Sequence, residues 1–437
     1  MCAICAPTRA LSTGGRRPSA QIGAPRAATA SRRATRARSG EILPMTMQSA
    51  RLTASMLVLA LLTLAVGGCA TLGRQPHPRL PATAAYPQGQ DVVLLLPAGA
   101  EGRLGAAIDA IESGYAAALR RDVGYRREPV TEDTSRDALA AYEAAAEMAP
   151  PALIIGPLLK RNVNAIAAAR SAPTPPMLAL NEATQSRPGM YQFALAPEHE
   201  ASTAAQLIND LRGSRTGAIT TAIVYPRTDA WGERMRKAFV TALDATPAVE
   251  VPYTMDDVGT LRDRVSGADL VFMVARPDDA AAVYAGLGGG GAGMPVIATS
   301  HAADNKVDAT EKVGLFYVDV PWLVDRALAR EYIARSPDKP DADYTKGELG
   351  RLYAMGIDAY YLGALVAKMR VGGSPIDLPA GMTGDLSFST SGRLLRRQLT
   401  LGRIGEGGVT HPAAVRDLAV GLKRRGTAQA GNATGKG

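Results

Sequence analysis

The feature that most restricts this chain is an alternation of short, wholly apolar runs ended by Pro or Gly with longer stretches of helical spacing. The first run is DVVLLLPAG, whose five consecutive apolar residues read as a strand buried on both faces. It leads into GRLGAAIDAIESGYAAALRR, where Leu104, Ile108, Ile111, Tyr115 and Leu119 recur three or four residues apart. The cycle continues through ALAAYEAAAEMAP, PALIIGPLL, KRNVNAIAAARSA, PPMLALNEA and MYQFALAPEHEASTAAQLINDLRGS. It resumes with TAIVYPRTDAWGERMRKAFVTAL, VPYTMDD, ADLVFMVARPDDAAAVYAGL, MPVIATSHA, LFYVDVPWLVD and RLYAMGIDAYYLGALVAKM. Repeats of this kind specify an α/β fold, with parallel sheets covered by helices on both faces. There are more units than one sheet usually holds. A break near Gly217 to Thr221 is therefore expected to divide the chain into two doubly wound parallel-sheet lobes, with an interlobe cleft at the strand carboxyl ends. Later, DLSFSTSGRLLRRQLTLGRI alternates polar and apolar residues around Ser391-Gly392, which predicts a closing hairpin.

The N-terminal part reads as an address. Arg51 precedes Met56 to Val66, eleven residues that are apolar apart from Thr63, and Gly67, Gly68 and Cys69 close the segment. Eleven helical residues cover about 16 Å, half of the roughly 30 Å a spanning helix must cross. Residues 45–68 are thus expected to be a signal peptide. Val66-Gly67-Gly68-Cys69 resembles the lipobox of bacterial lipoproteins, which implies that the Cys69 thiol takes a diacylglycerol and becomes the first mature residue. With several acyl chains such an anchor is durable, where one chain binds only marginally. Ala70 after it resembles the pattern sorted to the outer membrane. Residues 1–44, rich in Arg, Ser and Ala, are expected to lie upstream of a true start at Met45 or Met47; a transit peptide is the alternative. Residues 69–90 carry several prolines and little periodicity, the mark of a tether. The folded part is expected over 91–422, and the basic tail 423–437 to be disordered.

Charge and chemistry exclude several functions. The formal charge of +8 belongs to the ends: eight arginines and one acid over 1–44, three arginines over 45–90, and four cations beyond Leu422 leave residues 91–422 at −6. A nucleic-acid footprint is absent from that body. Its lack of cysteine excludes a disulfide framework, a thiolate metal site and a cysteine nucleophile. The four histidines, His77, His199, His301 and His411, have no metal-ligand spacing. No GxSxG elbow and no GxxxxGK[ST] loop occurs. The glycine run from Leu287 to Gly293 lacks the lysine that phosphate binding requires. At Thr299-Ser300-His301 a hydroxyl meets an imidazole, but neighbours on an extended backbone point apart, so loop hydrogen bonding is expected there. Asp256-Asp257 and Asp278-Asp279 sit beside helix starts, where acids complement the macrodipole. We expect no enzyme, no cofactor and no metal.

Several stretches resemble the penicillin-binding protein activator lipoproteins, the LppC/LpoA group. They are LLLPAGAEGRLGAAIDAIESGY, LIIGPLLKRNV, MLALNEA, YQFALAPEHEASTAA, DAWGERMRKAF, MPVIATSHA, FYVDVPWLV, RLYAMGIDAYYLG and TGDLSFSTSGRLLRR, in the family's order from residue 91 to about 410. The most specific are Gly156-Pro157-Leu158, Ala298-Thr299-Ser300-His301 and Pro321-Trp322. The resemblance implies a type I periplasmic-binding-protein-like fold. It also implies a non-enzymatic lipoprotein, held on the periplasmic face of the outer membrane, that binds and activates a bifunctional penicillin-binding protein in peptidoglycan synthesis. Larger members carry a helical-repeat domain before this one; here about twenty residues, spanning at most about 65 Å, separate Cys69 from Asp91.

In such a fold the strand ends would place Gly99, Gly156, Asn181, Glu182, Tyr225, Arg276, Thr299, Ser300, His301 and Trp322 along the cleft. Each also has a plain structural reading: a tight turn at Gly156-Pro157, a loop cap at Asn181, a core or hinge anchor at Trp322 and a sheet-packing role for Trp231. The alternative function is a solute receptor of an ABC-type importer, with Glu182 and Ser300 gripping a small amino-acid-like ligand in the cleft.

Overall fold

The run Val92–Leu96 forms β1 and is buried from end to end, because it lies inside a five-stranded parallel sheet with cover on both sides. Side chains alternate across a strand, and each face finds its own partners. Val93 and Leu95 pack with Tyr142, Val163 and Ile166, while Val92, Leu94 and Leu96 pack with Ile111, Tyr115 and Tyr361. The computed structural model describes residues 80–422, apart from 88, 125–126, 149–151, 214–218, 245–247, 290–293, 305–308, 369–375, 390, 409, 414 and 421. The leader, the signal segment, Cys69, His77 and the basic tail lie outside the described residues.

The first lobe follows the expected alternation: β1, α1 (Gly102–Arg121), β2 (Val130–Asp133), α2 (Ala138–Ala146), β3 (Leu153–Ile155), α3 (Lys160–Ala169), β4 (Met177–Ala179) and β5 (Met190–Gln192). The sheet order is β2-β1-β3-β4-β5, all parallel. Asp137 starts α2 by accepting hydrogen bonds from the backbone of Leu139 and Ala140.

The second lobe runs α4 (Glu198–Gly213), β6 (Thr221–Pro226), α5 (Ala230–Ala242), β7 (Val249–Tyr253), α6 (Leu261–Arg264), β8 (Leu270–Met273), α7 (Ala280–Gly286), β9 (Val296–Ala298), α8 (Ser300–Ala303) and β10 (Phe316–Asp319). After β10 come α9 (Pro321–Val324), α10 (Arg326–Ala334) and α11 (Gly347–Ala367), then β11 (Ile376–Gly381), β12 (Gly384–Phe388), β13 (Leu394–Gln398), β14 (Thr400–Ile404) and β15 (Thr410–Pro412). Its sheet has the order β15-β14-β10-β9-β8-β6-β7; β6 to β10 are parallel and the last two strands antiparallel. Thr254 and Asp257 close a capping box at Met255–Thr260.

Four details differ from the sequence reading. The break between lobes falls after β5, not near Gly217 to Thr221: α4 packs on α5 of the second lobe. An amphipathic pattern states that a helix covers a sheet without stating which one. The chain also returns, since α11 packs lengthwise on α1 of the first lobe before β14 rejoins the second sheet. The lobes are therefore joined by three passages of chain. Packing also starts before Asp91. Leu80, Ala84 and Tyr86 are buried, the Ala84 amide donates to Asp122 at 2.8 Å and the Tyr86 hydroxyl donates to the Tyr360 carbonyl at 2.5 Å. The expected hairpin does form, with β12 antiparallel to β13 and Phe388 opposite Leu394, but β11 adds a third strand to it.

Glycine sets how closely α1 and α11 approach. A Cβ on Gly114 would meet the Tyr353 carbonyl oxygen at 2.0 Å, and one on Gly356 would meet that of Ile111 at 2.0 Å. Only a residue without a side chain fits either position.

Candidate functional site: the strand ends between the lobes

The residues expected along the cleft follow the carboxyl ends of successive parallel strands. On the first lobe, Gly99 follows β1 in an exposed turn with φ of +68°, and the neighbouring Ala98 amide donates to Asp133 at the end of β2. Gly156, after β3, has φ of +112° and is buried; a Cβ there would meet the Leu95 carbonyl oxygen at 2.4 Å. Gly156 and Pro157 thus shape a turn against the sheet rather than present a surface. Asn181, after β4, donates to the Leu158 carbonyl at 3.0 Å and accepts from the Glu182 amide at 2.9 Å, the loop-capping role. Glu182 itself is half-buried.

On the second lobe the structure assembles a small stack. Asp229 caps α5 by accepting from the Trp231 amide at 2.8 Å, and its other oxygen accepts from Arg276 Nε at 2.9 Å and Nη2 at 2.6 Å. So held, the Arg276 guanidinium lies 4.3 Å from the Trp231 ring centroid, and on Trp231 the His301 ring packs at 5.3 Å. Desolvation, with the nearby Arg276 and Arg351 charges adding to it, pushes the His301 imidazole below its ordinary value, toward the neutral form. Tyr225 is half-buried near the end of β6. Trp231 went unassigned in the cleft, although a Trp one turn into a helix after a strand end is the available signal.

Ser300 and His301 are not on extended backbone. They open the four-residue helix α8 with Thr299, which is buried, as its N-terminal flank. Ser300 donates both its amide and its hydroxyl to Glu200 of α4, each at 2.7 Å, so its polar groups are consumed inside the protein. Glu182 and Ser300 therefore do not form the ligand pair envisaged for a receptor, and Ser300 and His301 do not form a nucleophile and base. Trp322 also leaves the cleft list. It is buried in α9, donates from Nε1 to the Tyr344 carbonyl at 2.8 Å and packs against Tyr353 and Tyr332.

Beneath the strand ends lies a charge network the sequence did not announce. Arg351 of α11 bonds Asp319 at 2.8 and 2.9 Å and Asp304 at 2.8 and 3.2 Å, joining the returning helix to the ends of β10 and α8. These charges hold the guanidinium well above its ordinary value against the cost of burial. Burial pushes Glu200 up to about 7, opposed by Arg351 and by the Ser300 hydrogen bonds. On α11, Asp358 is fully buried and bonds Met382 N, Thr383 N and Thr383 Oγ1, each at 2.7 Å; burial pushes it up to about 6. The lone carboxylate in LYAMGIDAYYLGALVA is a visible signal for such a residue. Among the described residues no cluster of His, Cys, Asp and Glu is arranged to hold a metal ion, and no helix is long and apolar enough to cross a membrane.

This arrangement has relatives. The penicillin-binding protein activator LpoA of Edwardsiella piscicida is 29% identical over 307 residues, which cover 58% of this chain and 42% of that protein. This chain spans less than half the length of the curated relatives it matches. Among solved structures, the C-domain of LpoA (YraM) from Haemophilus influenzae, a regulator of PBP1A, superposes with a TM-score of 0.58 at 26% identity, over 74% of this chain and 100% of that one. A protein of Chromobacterium violaceum, described as "a putative branched-chain amino acid ABC transporter", matches with a TM-score of 0.59 at 29% identity, over 72% and 99% of the two chains. The family model "LppC putative lipoprotein" matches residues 85–252 and 253–407, which is most of the sequence. The chain belongs to the LppC lipoprotein family.

Proposed function

We propose that this protein is a non-enzymatic envelope lipoprotein that binds a bifunctional penicillin-binding protein and activates it in peptidoglycan synthesis. The observation that carries the reading is the end-to-end match of the bilobal body to the C-domain of LpoA, a regulator of PBP1A. The curated relatives bear the name of activators, and the Ser300 hydroxyl beside His301 is held by Glu200. Attachment is assigned to a lipid on Cys69, on the periplasmic face of the outer membrane, in keeping with the lipobox-like Val66-Gly67-Gly68-Cys69. The expected partners are that membrane and the synthase, with no nucleic acid. The test is direct: purified body added to a purified bifunctional synthase and its lipid-linked substrate should raise the rate of glycan polymerisation or cross-linking. No change in either rate, with no co-purification of the two proteins, would remove the reading.

The second reading, a solute receptor for an importer, is favoured by the likeness to the Chromobacterium violaceum protein. Against it stands Ser300, whose hydroxyl and amide already serve Glu200. Recovery of permease subunits instead of a synthase, on affinity capture of the lipidated protein from membranes, would favour it.

A further inference from the structure

The small sheet of β11, β12 and β13 belongs to neither lobe's sheet, yet it is fastened to both lobes. On the second lobe, the Trp322 amide of α9 donates to the Met382 carbonyl in the β11–β12 turn at 3.1 Å, and the Thr203 hydroxyl of α4 donates to the Arg397 carbonyl of β13 at 3.3 Å. On the first lobe, the β12–β13 turn meets β5, the edge strand of its sheet. There the Gln192 amide donates to the Gly392 carbonyl at 2.9 Å, and the Tyr191 and Phe388 rings meet edge to face at 6.4 Å. Gly392 has φ of +78°, and a Cβ on it would collide with the Met190 carbonyl oxygen. The small sheet is thus a strap laid across the lobes. Its hold on β5 rests on a hydrogen bond, a ring pair and a close backbone approach.

Beneath the strap lies a charge without an answer. Arg397 is 5% exposed, and its Nε, Nη1 and Nη2 are shielded from solvent with no hydrogen-bond partner among the described residues. Burial lowers its pKa to about 10, which leaves it charged at neutral pH. Asp358 attracts it through space, but both carboxylate oxygens are engaged by Met382 and Thr383. Its guanidinium carbon sits 5.0 Å from the centroid of the Phe193 ring. Phe193 directly follows β5, and its amide donates to the Ala179 carbonyl of β4, so it moves with the first lobe. His199, at the start of α4, adds a second buried polar atom without a partner among the described residues, its Nδ1. An uncompensated buried charge is destabilising, and water is the partner that relieves it. Parting the strap from β5 separates Arg397 from Phe193 and admits that water.

We propose that this strap is a latch poised to release: seated on β5 it holds the lobes in one relation, and it lifts from β5 while both lobes stay folded. The buried Arg397 charge biases the latch toward release, and the contacts at Gln192, Tyr191 and Gly392 oppose it. Local opening of this kind draws on a region held more weakly than the buried strands around it. Such a device needs two packed arrangements of one element rather than continuous bending. The proposal is independent of the synthase-activating reading and requires no ligand.

The test is native-state amide exchange of the whole folded chain at neutral pH, with the Gln192 amide as reporter of the latch and the amides of β1 as reporters of global unfolding. In the parent protein Gln192 should exchange at least about ten-fold faster than β1. Arg397→Met removes the charge from the latched state, so it should slow Gln192 and β1 by the same factor, about ten-fold or more. Arg397→Lys, which keeps a charge there, should slow neither. Gly392→Ala should speed Gln192 exchange at least about ten-fold. Lobe movement is read separately by spin labels at Asp109→Cys of α1 and Lys237→Cys of α5, both exposed positions, in a chain that also carries Cys2→Ser, Cys5→Ser and Cys69→Ser. Arg397→Met should give one narrow label distance and Gly392→Ala a broad distribution. The proposal is overturned if Gln192 exchanges no faster than β1, if Arg397→Met slows β1 without slowing Gln192, if it slows neither, or if the label distances are alike in the two variants.

Discussion

At the scale of residues, the sites with most chemistry in them are those where a charge is buried and something must answer for it. Arg351 is answered by Asp304 and Asp319, and Glu200 by Ser300. Glu200 also carries a pH signature. Its carboxyl is raised from 4.5 to about 7 in the folded protein, so between those values the folded state holds the proton more tightly than the unfolded state. Stability must therefore fall as pH rises through that window and level off above it. Asp358, raised from 3.8 to about 6, adds the same sign over its own range, so a variant is needed to isolate Glu200. In Glu200→Gln the site no longer titrates. The unfolding free energy of the parent relative to this variant should decline from pH about 4.5 to about 7; a difference that stays constant with pH defeats the assignment. Little of this was legible in the sequence. Arg396-Arg397 reads as a pair of surface charges, and only the register of β13 against β12 turns Arg397 inward and leaves Arg396 exposed. Thr299-Ser300-His301 was visible as a cluster, but the acid that claims Ser300 lies 100 positions away.

Among elements, the closest contact is the crossing of α1 and α11, and it rests on Gly114 and Gly356. Replacing glycine by alanine inside a helix ordinarily gains about 0.5–1 kcal/mol. At Gly356 that gain is outweighed, because the new methyl group would sit 2.0 Å from the Ile111 carbonyl oxygen, and neither helix backbone can move without disturbing the sheet below. We expect Gly356→Ala to destabilise by about 1–3 kcal/mol in denaturant unfolding. Gly213→Ala, at the exposed end of α4 with nothing within 4 Å, should be neutral or stabilising. Equal effects at the two sites would refute the crossing. The elements themselves were largely readable, since fully apolar runs such as Val92–Leu96 and Leu270–Met273 have few other homes than a sheet covered on both faces. Their allegiance was not. Nothing in the apolar stripe of α4 records that it covers the second sheet, nor does α11 reveal that it runs back to the first.

For the molecule as a whole, three passages of chain make two sheets into one body, and the returning helix α11 touches both lobes: Arg351 near its start binds Asp319 of the second, while Tyr360 near its end supports the segment that precedes β1. That segment belongs to the folded unit. The Tyr86 ring packs 4.9 Å from that of Tyr360, and its hydroxyl donates to the Tyr360 carbonyl. Tyr86→Ala should cost about 3–5 kcal/mol, measured by calorimetry or denaturant unfolding, whereas a loss under about 0.5 kcal/mol would mean the segment is only laid against the surface. The docking also moves a boundary. A body cut at Asp91 would lose the buried Leu80, Ala84 and Tyr86, so a truncation that keeps the native stability has to begin before Leu80.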